Sequence, residues 1–211
     1  MKRLQVILLF ITTMNMLSLC SDIKIRPATL NDCDGIARLT ELSYNETFKP
    51  LYANIFKANS FEQPLDDFIS EKIAAQNNSA IEFITKQLNQ EGYGLLVAYD
   101  TTQKQPNQLV GYCRFNKRGA ENIHVYLLAV DKNLQRNGIG SQLLLSAINT
   151  FAETKTCTLK TIIGNDSADT FYQKFGFENL GTVAMDPKTN APSTDKDALP
   201  THNSYRLTLQ K

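Results

Sequence analysis

The sequence predicts an α/β (α+β) domain: a mixed, mostly antiparallel sheet of six to seven strands flanked by about four helices. Three observations carry this. Residues 94–99, 109–116 and 122–130 are strand-like runs joined by short polar turns, which makes them antiparallel neighbours. Residues 123–152 read instead as a buried strand, a turn holding two glycines, and an amphipathic helix. Strand-like runs recur at 158–164, 178–185 and 204–209, around one further helix.

Composition narrows the class. The chain has 211 residues, 42% of them hydrophobic, enough for one globular domain with a sizeable core. With 22 basic and 21 acidic residues there is no overall charge to recruit nucleic acid. Two histidines and no H-E-x-x-H run give no metal site. Cys20, Cys33, Cys113 and Cys157 form no C-x-x-C pair, and the last three read as buried free thiols.

In order along the chain, residues 1–20 stand apart. Lys2 and Arg3 precede an apolar run to Leu19, with small residues near Cys20, as in a signal peptide. Such a segment predicts export and is the chain's one expected membrane contact. Leu17-Ser-Leu-Cys20 resembles a lipoprotein box, though Leu19 is large for the position before the cysteine. The competing reading is a start at Met14 or Met16 and a cytoplasmic protein. Residues 22–211 form the predicted domain.

Residues 22–26 alternate and predict a strand. Thr29 or Asn31 caps the next helix, whose apolar face is Ile36, Leu39 and Leu42. Pro50 predicts a break in residues 44–52. Residues 61–90 predict one or two helices, with Asn77-Asn78-Ser79 as the division and Ile81, Ile84 and Leu88 as the second apolar face. Tyr44, Phe48, Tyr52 and Phe56 recur every four residues, an aromatic stripe that reads first as core and second as substrate contact. Residues 168–175 predict a helix stopped by Gly176. Residues 186–203 are polar, carry three prolines and predict a long loop.

The glycine turn is the chemical centre. A helix start leaves several N–H groups without partners and adds the positive end of the peptide dipoles, so it holds phosphate well. Gly138 and Gly140 allow close approach, and Arg136 adds a cation. A G-x-G-x-x-G dinucleotide turn fails at Leu143, and a P-loop fails because no lysine follows Gly140.

What stands there is Gln135-Arg136-Asn137-Gly138-Ile139-Gly140, after the strand end Leu128-Ala129-Val130-Asp131. This resembles the pyrophosphate turn of the GNAT superfamily of acyl-CoA N-acyltransferases, Gln/Arg-x-x-Gly-x-Gly/Ala. Downstream, Asn165-x-x-Ala168-x-x-Phe171-Tyr172-x-Lys174-x-Gly176-Phe177 is similar to that superfamily's second signature.

The resemblance implies the GNAT fold and an N-acetyltransferase that moves an acetyl group from acetyl-CoA to a primary amine in a ternary complex, with no metal. It implies that Leu128, Ala129 and Val130 dock the thioester and pantetheine along an exposed strand edge. The pyrophosphate would rest on Gln135, Arg136, Asn137, Gly138, Ile139, Gly140 and Ser141, and Asn165 would bond the pantetheine arm or nearby backbone. Tyr172 would be the general acid; a thiol's pKa of about 8.5 asks only modest help from it. Many relatives carry a glutamate six residues before the valine that ends this strand. Here that residue is His124, so His124 is the expected base, with Glu121, Tyr126 and bulk water as competitors and a structural histidine as the alternative. The same departure admits a CoA-binding protein without transferase activity, and the N-terminal segment admits an exported interaction protein. A monomer and a homodimer both fit.

Overall fold

The computed structural model describes residues 22–59, 63–102, 108–186, 192–193 and 201–209. Residues 1–21, 60–62, 103–107, 187–191, 194–200 and 210–211 lie outside these, so the predicted export segment and most of the long loop are not described. No helix among the described residues is long and apolar enough to cross a membrane.

Seven strands form one sheet in the order β1-β2-β3-β4-β5-β7-β6. They are β1 (Ile23–Pro27), β2 (Tyr93–Asp100), β3 (Leu109–Lys117), β4 (Asn122–Val130), β5 (Thr156–Ile162), β6 (Glu178–Val183) and β7 (His202–Thr208). Every pairing is antiparallel except β4 with β5. The short turns between β2, β3 and β4 allow nothing else, whereas the 25 residues between β4 and β5 carry a crossover helix.

The helices are α1 (Cys33–Ser43), α2 (Lys49–Asn59), α3 (Leu65–Asn89), α4 (Ile139–Asn149) and α5 (Asp166–Phe175). A π-helical turn, Tyr44–Phe48, joins α1 to α2, so these two form one helical body and the sheet is flanked by four. The break expected at Pro50 is therefore absent. Pro50 follows directly on the π turn, where the Lys49 N–H reaches back to the Tyr44 carbonyl, and the wider turn accommodates the missing N–H at 50. The division expected at Asn77–Ser79 is also absent, because α3 runs unbroken for 25 residues. Phe68, Ile69, Ala80, Phe83 and Ile84 bury one side of it, and that packing overrides weak helix formers. Ile81 and Leu88, expected inside, are 46% and 68% exposed.

Two apolar layers sandwich the sheet. α1 and α3 cover one face through Ile36, Leu39, Ala80, Phe83 and Ile84 against Val97, Tyr112, Leu127 and Ala129. α4 and α5 cover the other through Leu143, Leu144, Ala147 and Tyr172 against Cys113, Phe115, Val125, Leu159 and Tyr205. The aromatic stripe is core: Tyr44, Tyr52 and Phe68 are buried together, with Tyr52 and Phe56 rings edge-on to Phe68. Cys113 and Cys157 are buried free thiols as expected, while Cys33 is only half-buried.

Gly111 sets how closely α4 meets the sheet. A Cβ there would stand 2.8 Å from the Ala129 carbonyl oxygen and 3.1 Å from Leu143. The carbonyl belongs to a paired strand and cannot retreat. Gly111→Ala is expected to destabilise the fold by about 2 kcal/mol, read as a lower urea midpoint with unchanged slope.

Candidate active site

β4 controls the site because its two neighbours treat it differently. With β3 it pairs along its length, from Ile123↔Lys117 to Val130↔Gly111, but the register shifts between Arg114 and Phe115. Phe115 pairs with Val125 and Arg114 with Leu127, so Tyr126 is the extra residue of a β-bulge. Side chains normally alternate between faces. Here Ile123 and Val125 face α4 and α5, while Leu127 and Ala129 face α1 and α3. With β5 the pairing covers only Asn122↔Thr156 to Val125↔Leu159. Beyond Val125 the two strands part, and Leu128, Ala129 and Val130 lie on a strand with no β5 partner in register. An unpaired strand edge offers N–H and C=O groups to an amide-bearing ligand.

The glycine turn stands at the end of that edge. After Asp131 comes a short 3-10 turn, Lys132–Leu134, then Gln135 to Gly138 and α4. Asp131 accepts from the Asn133 N–H and from Arg38, which also donates to the Leu109 carbonyl at 2.6 Å. Gln135 donates to the Val130 carbonyl at 3.1 Å, and Lys132 pairs with Glu46 at 3.3 Å. The turn is thus tied to α1, to the π turn and to β4. Arg136 and Gly138 are both left-handed, with φ of 67° and 80°. This is routine for glycine and uncommon for arginine. Both stand next to the first turn of α4 at Ile139, Gly140 and Ser141, where a helix start leaves its N–H groups open.

Asn165 is the N-cap of α5, its side-chain oxygen accepting the Ala168 N–H at 3.2 Å. Of its two expected uses, the nearby backbone is the one present. Tyr172 lies about two turns further along the same helix, 8% exposed, against Phe171, Phe177 and Tyr205. Its hydroxyl makes no hydrogen bond to a described residue. Burial, with the Cys113 and Cys157 thiols close by, drives its pKa far above the usual phenol range. Tyr172 is therefore a protonated donor at any working pH.

His124, on β4, lies on the sheet face opposite Tyr172, beside Tyr126, the two ring centroids 4.9 Å apart. Its Nδ1 is 3.0 Å from the Thr158 hydroxyl, which itself donates to the Ile123 carbonyl. That chain leaves Thr158 as acceptor and places the ring proton on Nδ1, so Nε2 carries the free lone pair. Burial, then Arg118 and Lys160, lower its pKa from 6.5 to about 3. Neutral imidazole is the form a base needs, but this one binds a proton weakly. Of its expected competitors, Glu121 is held in an ion pair with Lys155 at the start of β4, and Tyr126 is on the spot.

Sequence reading missed the cations around His124. Arg114 follows His124 and Tyr126 on the α1/α3 face. It donates to Gln76 Oε1 at 2.5 Å and packs over the Phe83 and Tyr126 rings. Arg118 donates to the Tyr126 hydroxyl at 3.3 Å, and Lys160 follows Thr158 on β5. A lone arginine inside the apolar run Tyr112-Cys-Arg-Phe115 was the available signal. No group of acidic, histidine and cysteine side chains among the described residues could hold a metal ion.

A mixed sheet opened between its fourth and fifth strands, with a glycine turn and helix start at the mouth, is the architecture of acyl-CoA N-acyltransferases. The chain belongs to the acetyltransferase (GNAT) domain family, whose profile matches residues 64–186. Among solved structures it resembles the PaiA N-acetyltransferase of Thermoplasma acidophilum in complex with coenzyme A. The identity is 20%, covering 89% of this chain and 99% of that one, with a TM-score of 0.62. An N-acetyltransferase of Staphylococcus aureus Mu50 is 21% identical, covering 90% and 100%, with a TM-score of 0.57. YncA of Salmonella typhimurium, with its cofactor acetyl-CoA, is 17% identical, covering 90% and 96%, with a TM-score of 0.53. At these identities the likeness is one of fold. No curated protein sequence matches the chain significantly.

Proposed function

We propose that the protein is an N-acetyltransferase that transfers the acetyl group of acetyl-CoA to a primary amine by direct attack. The observation that carries this reading is the placement of Tyr172 and His124 on opposite faces of the sheet, either side of the β4/β5 opening. A thioester lying in that opening has its sulfur toward Tyr172 and its carbonyl carbon open to an amine from the His124 side. The pyrophosphate rests on the N–H groups from Gln135 to Ser141. The pantetheine amides pair along the open edge from Leu128 to Val130, where the N–H groups of Leu128 and Val130 face the opening and also polarise the carbonyl, while Ala129 turns its own to β3. Asn165 holds α5, and so Tyr172, in place.

In the reaction the amine nitrogen bonds to the carbonyl carbon and the carbon–sulfur bond breaks. Tyr172 donates to the departing sulfur. His124 accepts a hydrogen bond from the amine through Nε2, and the proton the nitrogen loses passes through water to replace the one Tyr172 gave to sulfur.

The full-length protein should bind acetyl-CoA in calorimetry and release free thiol with at least one member of an amine panel. A folded sample that does not bind acetyl-CoA overturns the reading. The weak basicity of His124 favours one alternative, a CoA-binding protein without turnover, and binding with no release from any amine selects it.

A further inference from the structure

We propose that the acyl acceptor carries an anionic oxygen group, a carboxylate or phosphate, beside its amine, and that Arg118 and Lys160 hold that group with Arg114 behind them. This rests on the acetyl-transfer reading and names the substrate class for the same site.

The argument is one of charge without countercharge. Arg114, His124, Tyr126, Thr158 and Lys160 share the face from which the amine must come, because β4 and β5 pair in register at His124↔Thr158. The bulge residue Tyr126, 39% exposed, has guanidinium groups over its ring from both sides, Arg114 at 5.8 Å and Arg118 at 5.5 Å. Neither arginine is in an ion pair among the described residues. Arg114 is only 5% exposed, and its buried Nε has no hydrogen-bond partner. The Lys160 ammonium meets the Met185 sulfur at 3.1 Å and no carboxylate. Arg26, Arg38, Lys49, Lys86, Lys117, Lys132 and Lys155 each have an acidic partner. Lys24, Lys57, Arg136, Lys174 and Arg206 have none among the described residues, so what marks Arg114, Arg118 and Lys160 is that they gather around Tyr126 and His124. The nearest acid to Arg114 on its own face, Glu82, is already paired with Lys86.

These charges feel one another. Arg118 and Lys160 both lower the His124 pKa, and Lys160 also lowers that of His202, whose strand continues the same face. Gathering cations where burial makes repulsion expensive is unfavourable unless an anion relieves it. A bound carboxylate or phosphate does so with charge-assisted hydrogen bonds. The same field has a second consequence. It favours the neutral form of an incoming amine, the nucleophilic one, and repels a polycation. An acceptor prepared in this way asks little of His124 as a base.

The test is a matched panel with full-length protein and acetyl-CoA: amino acids, their amides and their decarboxylated amines, phosphoethanolamine against ethanolamine, and spermidine. The expected result is a kcat/KM at least about tenfold higher for the acid or phosphate member of a pair than for its neutral counterpart. Which pair shows it separates carboxylate from phosphate. Arg118→Gln should raise KM for that member about tenfold and bring the kcat/KM ratio between it and its neutral counterpart close to one. Equal or higher kcat/KM for the neutral amines or spermidine overturns the anionic acceptor and leaves acetyl transfer standing. If no member turns over, calorimetry with the amino acids, phosphoethanolamine and their neutral counterparts alone decides. Tighter binding of an acid or phosphate supports the proposal, and no preference overturns it. Acetyl-CoA binding, measured separately, reports on the acetyl-transfer reading by itself.

Discussion

Replacing Tyr172 by Phe is expected to lower kcat about 100-fold, while the KM for acetyl-CoA and the urea midpoint stay nearly unchanged. The change removes one oxygen atom. The ring keeps its contacts with Phe171, Phe177 and Tyr205, so the packing of α5 on the sheet survives. No described residue loses a hydrogen bond, because the hydroxyl has none to lose. Removing the oxygen leaves no partner unsatisfied, so it does not weaken the protein. What disappears is the donor to the departing thiolate. Steady-state kinetics on the preferred acceptor, with wild type alongside, reads this directly. A Tyr172→Phe enzyme as fast as wild type would remove Tyr172 from the chemistry and leave the fold and CoA binding untouched.

Stability should collapse as pH falls from about 6.5 toward 4. His202 joins His124 in this. Burial, then Lys160 and Lys72, lower its pKa from 6.5 to about 4. Both histidines thus have native pKa values below those of the unfolded chain, and the unfolded state takes up protons first. Stability is then fully present above pH 6.5 and lost as pH drops through the window down to about 4 and 3. By pH 4 the loss is roughly 3 kcal/mol per histidine, a large part of a typical domain's stability. Asp32 does not confuse the window. Burial opposes it, but hydrogen bonds from Arg26 and Thr29 win and hold its pKa below 3.8. Urea titrations at steps from pH 7.5 to 4.5 should show the decline, and His124→Gln should flatten about half of it. A midpoint that does not move between pH 6.5 and 4.5 would refute it. For the same reason the pH–rate profile should show no inflection near 6.5.

Gln135–Gly140 and Asn165–Phe177 were legible because they work through backbone and local geometry. A left-handed glycine, a helix start and a capping asparagine are properties of a few consecutive residues. The strand and helix order was legible for the same reason. Pro50 and Asn77–Ser79 misled because each carries a local signal that tertiary contact reversed. A π turn absorbed the proline, and apolar packing held α3 together through two asparagines. His124 was half legible. Its residue type suggested a base near neutrality, but its pKa depends on burial and on Arg118 and Lys160, which lie at other points in the chain.

The amino-acid sequence by itself determined the class of fold, the glycine turn at a helix start and the place of Tyr172, because short-range periodicity and spacing encode them. Only the tertiary structure decided that β4 bulges at Tyr126 and leaves β5 after Val125. Only it gathered Arg114, Arg118 and Lys160 on the face opposite Tyr172. The physical reason is that register and face are relations between strands. Residues 114, 126 and 160 become neighbours when β3, β4 and β5 align, and nothing in any one segment states that alignment.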